Sequence, residues 1–282
     1  MASIGTASES PKTGSGLLSE EELSDMGVEY PPPPDLRCKY CGRRKDPSAV
    51  LFAGKVVWIT GKCGCAQEKA AAQEEEAKRA EEEARRYAEK LKAMGISLRF
   101  QNAVVDDDEA LLYLSNFDSN PGRGLYIQGV CGSGKTSLAC ALARRLFDVG
   151  KRVLVTTALD MLSEVQDTFD NPKSTLEAMR KYTECDLLVI DDMGKESAGD
   201  WAVRTLFQIL NARYGEMRST IVTSEYDPPN LGRSMSRQGF GDPAKAILSR
   251  LKETCTRIER PDIDFRSLPN GYPKSMKTNR TE

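Results

Sequence analysis

The sequence predicts an α/β protein: a parallel sheet wound between helices, preceded by a small cysteine-built module and a charged helix. Three observations carry this expectation. Short apolar runs alternate with helical patterns from Gly95 onward, a glycine-rich segment joins the first of these runs to the first helix, and four cysteines flank a hairpin pattern near the N-terminus. A chain of 282 residues suits one α/β domain with something smaller beside it. The hydrophobic share, 39%, is lean and the charged share, 29%, is slightly rich, which points to a real core with solvated extensions.

Taken in order, residues 1–36 are rich in Ser, Gly, Glu and Pro and are expected to form a disordered tail, with one short helix available over Leu17–Asp25. Residues 37–66 hold Cys38, Cys41, Cys63 and Cys65 around the alternating stretch AVLFAGKVVWIT, the pattern of a hairpin. Residues 67–94 are dominated by Ala, Glu, Lys and Arg, with Glu74/Lys78, Glu75/Arg79, Glu81/Arg85 and Glu82/Arg86 each placing acid four residues before base. Lacking a wide apolar face, this segment reads as a solvent-exposed linker helix. Residues 95–266 follow as the α/β domain. Its expected strands are Leu125–Gln128, Arg152–Thr157, Asp186–Asp191, Ser219–Ser224 and Cys255–Glu259. Helices are expected over Thr136–Asp148, Leu159–Phe169, Ser174–Thr183, Trp201–Glu216 and Pro243–Thr254. Strands separated by helices imply right-handed crossovers and a parallel sheet. Residues 267–282 return to tail composition.

Between the first strand and first helix of that domain lies Gly129-Val-Cys131-Gly132-Ser133-Gly134-Lys135-Thr136-Ser137, a complete G-x-x-x-x-G-K-[ST]. Glycines let backbone N–H groups close around triphosphate oxygens, Lys135 supplies a point charge, and Thr136 offers a hydroxyl to Mg²⁺. The following helix adds its positive N-terminal end. A fully apolar run, Leu187-Leu-Val-Ile190, then ends in Asp191-Asp192, so a buried strand delivers carboxylates at its C-terminal end. Asp191 is assigned to Mg²⁺ and Asp192 to orienting or deprotonating the attacking water. The expected activity is ATP hydrolysis.

Cys38, Cys41, Cys63 and Cys65 form C-x₂-C-x₂₁-C-x-C. Each short pair can turn two sulfurs towards one ion, and a hairpin brings the pairs into a tetrahedral thiolate site. Structural Zn²⁺ is the expected occupant; free or redox thiols are the other reading. Cys140, Cys185 and Cys255 show no ligand spacing.

Composition also excludes. The chain contains no histidine, so Ser-His-Asp and Cys-His nucleophile systems and histidine-ligated metals are ruled out. Lys plus Arg number 40 and Asp plus Glu 42, so bulk attraction to nucleic acid is not built in. No apolar run reaches the ~18 residues of a membrane span, and the first residues lack signal-peptide character, so no membrane partner and a cytoplasmic location are expected.

The blocks GLYIQGVCGSGKTSLA, DLLVIDDMGKE, ILNARYGEMRSTIVTSEY, AILSRLKE and DFR, in this order, resemble the AAA+ ATPases of the DnaC/DnaI type, the bacterial and phage replicative-helicase loaders, and their relative IstB, a transposition helper. The resemblance implies a three-layer P-loop AAA+ fold over 95–266 and an ATPase that self-associates into an ATP-dependent oligomer. It makes Arg250 an arginine finger for a neighbouring subunit's nucleotide and Arg266 a sensor arginine in its own subunit; residue chemistry alone leaves both as ordinary surface or ion-pair arginines. It further implies that the zinc module grips the replicative helicase. Lys173, Arg180 and Lys181, between the second and third core strands, stand where such proteins contact single-stranded DNA, although a solvated helix face is the ordinary reading. An IstB-like chain would instead serve a transposase, and an adaptor that hardly hydrolyses ATP is a third reading. One departure bears on rate: where the family usually has Asn after Thr-Ser, this chain has Glu225. A carboxylate there adds repulsion near a γ-phosphate unless protonated or paired, so Glu225 either pairs with an arginine or slows hydrolysis.

Overall fold

The computed structural model describes residues 18, 20–27, 29–52, 55–195, 199–236 and 241–267. The first 17 residues of the expected N-terminal tail, and all but residue 267 of the C-terminal one, lie outside them. The chain divides into two compact units, Met1–Ala84 and Arg85–Glu282.

The first unit contains α1 (Glu20–Asp25), the two-residue strands β1 (Leu36–Arg37) and β2 (Arg44–Lys45), the hairpin strands β3 (Pro47–Phe52) and β4 (Lys55–Thr60), and the start of α2 (Ala66–Ala93). β3 and β4 pair antiparallel with Ala49 opposite Trp58. The expected tail is corrected from residue 18 onward. Leu18 exchanges backbone hydrogen bonds with Ala49 in both directions at 2.8 Å, and Leu23 is fully buried. Tyr30 meets Trp58 edge-on at 5.8 Å, and Trp58 Nε1 donates to the Pro31 carbonyl. Polar composition averaged over 36 residues hid these few anchors. Among the described residues of this unit, the buried apolar side chains are Leu23, Cys38 and Ala49. That is too small a core to hold a domain by burial alone.

Along α2, Lys78 pairs with Glu74 as the spacing suggests, but Arg79 and Arg85 turn forward to Glu83 and Glu89. An acid lies four residues away on either side, and on an exposed helix the choice costs little. The linker reading fails at the C-terminal end. Leu91, Met94 and Ile96 are buried in the second unit's core, and Tyr87 donates to Asp148 at 2.6 Å.

The second unit continues with α3 (Asp108–Ser115), β5 (Gly124–Gln128), α4 (Lys135–Asp148), β6 (Val153–Thr157), α5 (Ala158–Gln166), α6 (Pro172–Glu184) and β7 (Leu187–Asp191). It is completed by α7 (Asp200–Gly215), β8 (Ser219–Ser224), α8 (Pro228–Ser236), α9 (Gly241–Thr254) and β9 (Cys255–Glu259). The sheet is parallel throughout, in the order β6-β7-β8-β5-β9. Strand periodicity explains the unbroken apolar run of β7. Leu187 and Val189 pack with Leu138 and Leu142 of α4 on one face, while Leu188 and Ile190 pack with Leu206 and Ile209 of α7 on the other. The result is three layers, α/β/α.

Two helices were not expected. α3 is capped by Asp107, whose side chain accepts from Ala110 N at 3.0 Å. α8 opens with Pro228-Pro229, and Asp227 accepts from Asn230 N at 2.8 Å, placing proline at the first helical turn, where its missing N–H costs nothing. Between α7 and β8, the fully buried Arg213 donates to the carbonyls of Tyr182, Cys185 and Ser219 and to Thr220 Oγ1. The arginine of the NARY block thus ties the end of α6 to the start of β8.

Candidate functional site

Sheet order builds the site. Because β8 lies between β5 and β7, its C-terminal end projects between the phosphate loop after β5 and the two aspartates at the end of β7. Residues chosen from three separate motifs therefore meet. They line or border one cavity of about 660 Å³, whose walls include Lys135, Thr136, Asp192, Glu225 and Arg266.

In the phosphate loop, Gly132 has φ +79° and an added Cβ would stand 1.7 Å from Asp264 Oδ1, so only glycine fits. Lys135 is buried, and its Nζ donates to the carbonyls of Gly129 and Val130, both at 2.9 Å. Burial holds its pKa below the usual lysine range, against the opposing charges of Glu225 and Asp192. Thr136 Oγ1 donates to both Asp191 oxygens, at 3.0 and 2.9 Å, and Thr223 Oγ1 donates to Asp191 Oδ1 at 2.5 Å. Burial pushes the Asp191 carboxyl up; the Thr223 and Thr136 hydroxyls oppose this and the Asp192 charge reinforces it. A buried carboxylate beside a hydroxyl is a hard oxygen donor set that a divalent cation would satisfy, so the residues fit Mg²⁺.

Asp192 adopts φ +55°, a conformation that aspartate tolerates better than most side chains, and its N–H donates to Thr223 Oγ1 at 2.9 Å. Thr223 thus joins both aspartates, a role that sequence reasoning missed. The partner of Glu225 is a lysine, which corrects the expectation of an arginine. Lys195 Nζ lies 2.9 Å from Glu225 Oε1 and 3.3 Å from Asp192 Oδ1. The Lys195 hydrogen bond holds the Glu225 carboxyl below its usual range. Burial works against the Lys195 ammonium, but Glu225 and Asp192 outweigh it and raise its pKa.

Arg266 reaches the same cavity. The backbone N–H of Phe265 donates to the Gly132 carbonyl at 3.1 Å, which seats the DFR segment on the phosphate loop, and Arg266 Nη1 lies 3.6 Å from Cys131 Sγ. Arg250 is not brought there. It projects from α9 against α7, donating to Asn211 Oδ1 at 2.6 Å, with its guanidinium 4.9 Å from the Phe207 ring centre and 5.4 Å from that of Tyr214. Sequence reasoning also missed the cavity wall at Arg99, Phe100 and Asn102, a stretch without motif character. Of the three cations proposed for DNA, Lys181 is paired with Glu164 at 2.7 Å and Arg180 with Glu184 at 3.8 Å, which favours a solvated helix face over an open basic surface.

In the first unit, the sulfurs of Cys38, Cys41, Cys63 and Cys65 all lie within 4.8 Å of one another. Cys38 and Cys41 sit on the knuckle between β1 and β2, where Gly42 N donates to the Cys38 carbonyl; Cys63 and Cys65 follow β4. The backbone N–H groups of Cys41 and Tyr40 bring the Cys38 thiol down to about 7, while its hydrogen bond with Cys41 pushes Cys63 up to about 11. Four converging thiols beside a minimal core are compatible with zinc.

The parallel sheet between two helical layers and the phosphate loop after its fourth strand in order define an α/β protein of the P-loop class. The chain belongs to the family described as IstB-like ATP binding protein, which matches residues 73–267. It is 33% identical over 113 residues to the replicative helicase loader DnaC of Escherichia coli strain K12, covering 40% of this chain and 46% of that protein. It is also 27% identical over 140 residues to the chromosomal replication initiator protein DnaA of Campylobacter fetus, covering 48% of this chain and 32% of DnaA. These matches span less than half of each relative. The crystal structure of DnaI superposes with a TM-score of 0.52 at 23% identity, over 58% of this chain and 94% of that one, and shows a shared fold. Among the described residues, no helix is long and apolar enough to cross a membrane.

Proposed function

We propose that this protein is an ATP-dependent loader of the replicative DNA helicase, binding and hydrolysing ATP at interfaces between its own subunits. The observation that carries this reading is the division of the arginines. Arg266 joins Lys135, Thr136 and Asp192 in one cavity, while Arg250 stands outside it on α9. A site with every part except its second arginine is suited to completion by a neighbour. Within it, Lys135 and the loop N–H groups would hold the phosphates, Thr136 and Asp191 would hold Mg²⁺, and Asp192 would orient the attacking water. The bound Mg²⁺ would neutralise charge on the transferring phosphoryl group. The similarity to DnaC, by name a replicative helicase loader, supports the helicase as partner. A cytoplasmic location and contact with single-stranded DNA are proposed as part of the same reading.

The match to the IstB-like family supports one other reading, carried over from the sequence resemblance: a transposition helper whose partner is a transposase. Chromatography of the purified chain with ATP, mixed in turn with the replicative helicase and a transposase of the same cell, decides between them. A stable ATP-dependent complex with the helicase is expected. Complex formation with the transposase alone would overturn the loader reading.

The cysteine cluster is proposed as a structural zinc site and the grip on the helicase. Protein purified without added zinc is expected to contain about one zinc per chain, since four thiolates close a tetrahedral site. Strong chelation, or Cys38→Ser, should loosen the first unit and weaken helicase capture while leaving ATP binding largely intact. A metal-free but fully folded N-terminal unit would remove this assignment.

A further inference from the structure

Glu225 places a second carboxylate, beside Asp192, at a cavity that, on the function proposed above, must accept a triphosphate. Its negative charge is compensated from within the chain. Lys195 comes from the loop after β7, Glu225 from the end of β8, and their contact at 2.9 Å is combined with the 3.3 Å contact to Asp192. All three side chains border the same cavity as Lys135 and Thr136. Lys195 is placed rather than free. Gly194, at φ +100°, forms the turn that returns Lys195 N to the Asp192 carbonyl, and a Cβ on Gly194 would meet Tyr226 and Leu231 side-chain atoms at 2.8 Å. The turn that carries the lysine is therefore packed onto the residue that follows Glu225.

The electrostatic consequence falls on Lys135. Glu225 and Asp192 both act on its ammonium, as does Lys195 with the opposite sign. An unpaired Glu225 would compete with incoming phosphate for Lys135; a paired one does so far less. We infer that Lys195 is the positioning residue that makes Glu225 compatible with nucleotide, and that it favours triphosphate over diphosphate by exchanging carboxylate partners for the added anionic charge. The lysine is shared between Glu225 and Asp192 before nucleotide binds. The greater the charge brought into the cavity, the more favourable is its transfer from carboxylate to phosphate.

The inference rests on the phosphate-site reading, and equilibrium titration with ATP and ADP tests the two separately. Lys195→Met is expected to weaken ATP binding about tenfold while ADP changes by less than about twofold, since the lost, partly desolvated charge faces the extra phosphate and extra negative charge that a triphosphate has over a diphosphate. Lys195→Arg should preserve the discrimination. Glu225→Gln alone should tighten ATP by no more than about twofold, because the charge it removes is already paired by Lys195. The double variant Lys195→Met/Glu225→Gln should return to within about twofold of the parent, so that removing the Glu225 charge gains about fivefold or more once Lys195 is gone, a non-additivity that independent sites would not show. Equal weakening of ATP and ADP by Lys195→Met, or a double variant no better than the single, would overturn the role of Lys195. Lys135→Ala in the same titration distinguishes the premises: if it binds ATP like the parent, the phosphate site itself is misassigned.

Discussion

Lys135→Ala is expected to abolish tight ATP binding. The ammonium is buried in the phosphate loop and held by two backbone carbonyls, so it is already desolvated and aimed before any anion arrives. Its pKa lies below the usual lysine range because of that burial, and a polyanion would supply the charge partner that the carbonyls only approximate. Truncating one member of a desolvated charge pair costs about 3 kcal/mol or more, roughly 100-fold in affinity. Titration with a fluorescent ATP analogue is the check. Asp191→Asn should behave differently: binding without Mg²⁺ should persist, and the gain on adding Mg²⁺ should disappear, because the buried carboxylate facing Thr136 is the proposed cation ligand.

The second large effect concerns Arg250. It does not line the cavity of its own subunit, so Arg250→Ala should leave ATP affinity close to that of the parent. An arginine supplied in trans stabilises charge on the transferring phosphoryl group and can contribute roughly 10³-fold or more to rate. The parent's specific activity should therefore climb with protein concentration, and Arg250→Ala should stay at the slow rate of an isolated subunit. In the monomer the guanidinium is stored against Phe207, Tyr214 and Asn211, while its Nε is buried without a hydrogen-bond partner. That holding site fixes direction without using every donor. Arg250→Lys should not rescue the rate, since a lysine lacks the planar fork and stacks poorly on the two rings.

Much of the site was legible because its chemistry is local. A phosphate loop must place glycines and a lysine within eight residues, and a buried strand must deliver Asp191 at its end, so Gly129–Thr136 and Leu187–Asp192 announce themselves. The four cysteines are readable for the same reason. Contacts set by strand order were not legible. Lys195 and Glu225 lie 30 positions apart and meet only because β8 inserts beside β7. The motif DDMGKE displayed the lysine, and the carboxylate at 225 signalled a missing counter-charge, yet nothing in spacing joined them. Thr223 was hidden likewise, its hydroxyl serving both aspartates across the sheet.

Element boundaries failed where one residue outweighed its neighbours. Asp227 caps a helix that opens on two prolines, and Leu91 anchors the last turn of a helix that is otherwise charged. The expected tail contained Leu23, whose complete burial no average over Ser, Gly and Pro could reveal. In each case tertiary packing decided what local composition left open.

The central claim is that the ATP site is completed across a subunit interface, and mixing two inactive variants tests it most directly. Arg250→Ala keeps an intact phosphate loop, and Lys135→Ala keeps an intact Arg250. Each should hydrolyse ATP slowly alone. If Arg250 acts in trans, one kind of mixed interface joins the intact loop of the first to the intact arginine of the second, and turnover should partly recover on mixing. No recovery in a mixture shown to associate would contradict the account and leave Arg250 as a packing residue between α9 and α7.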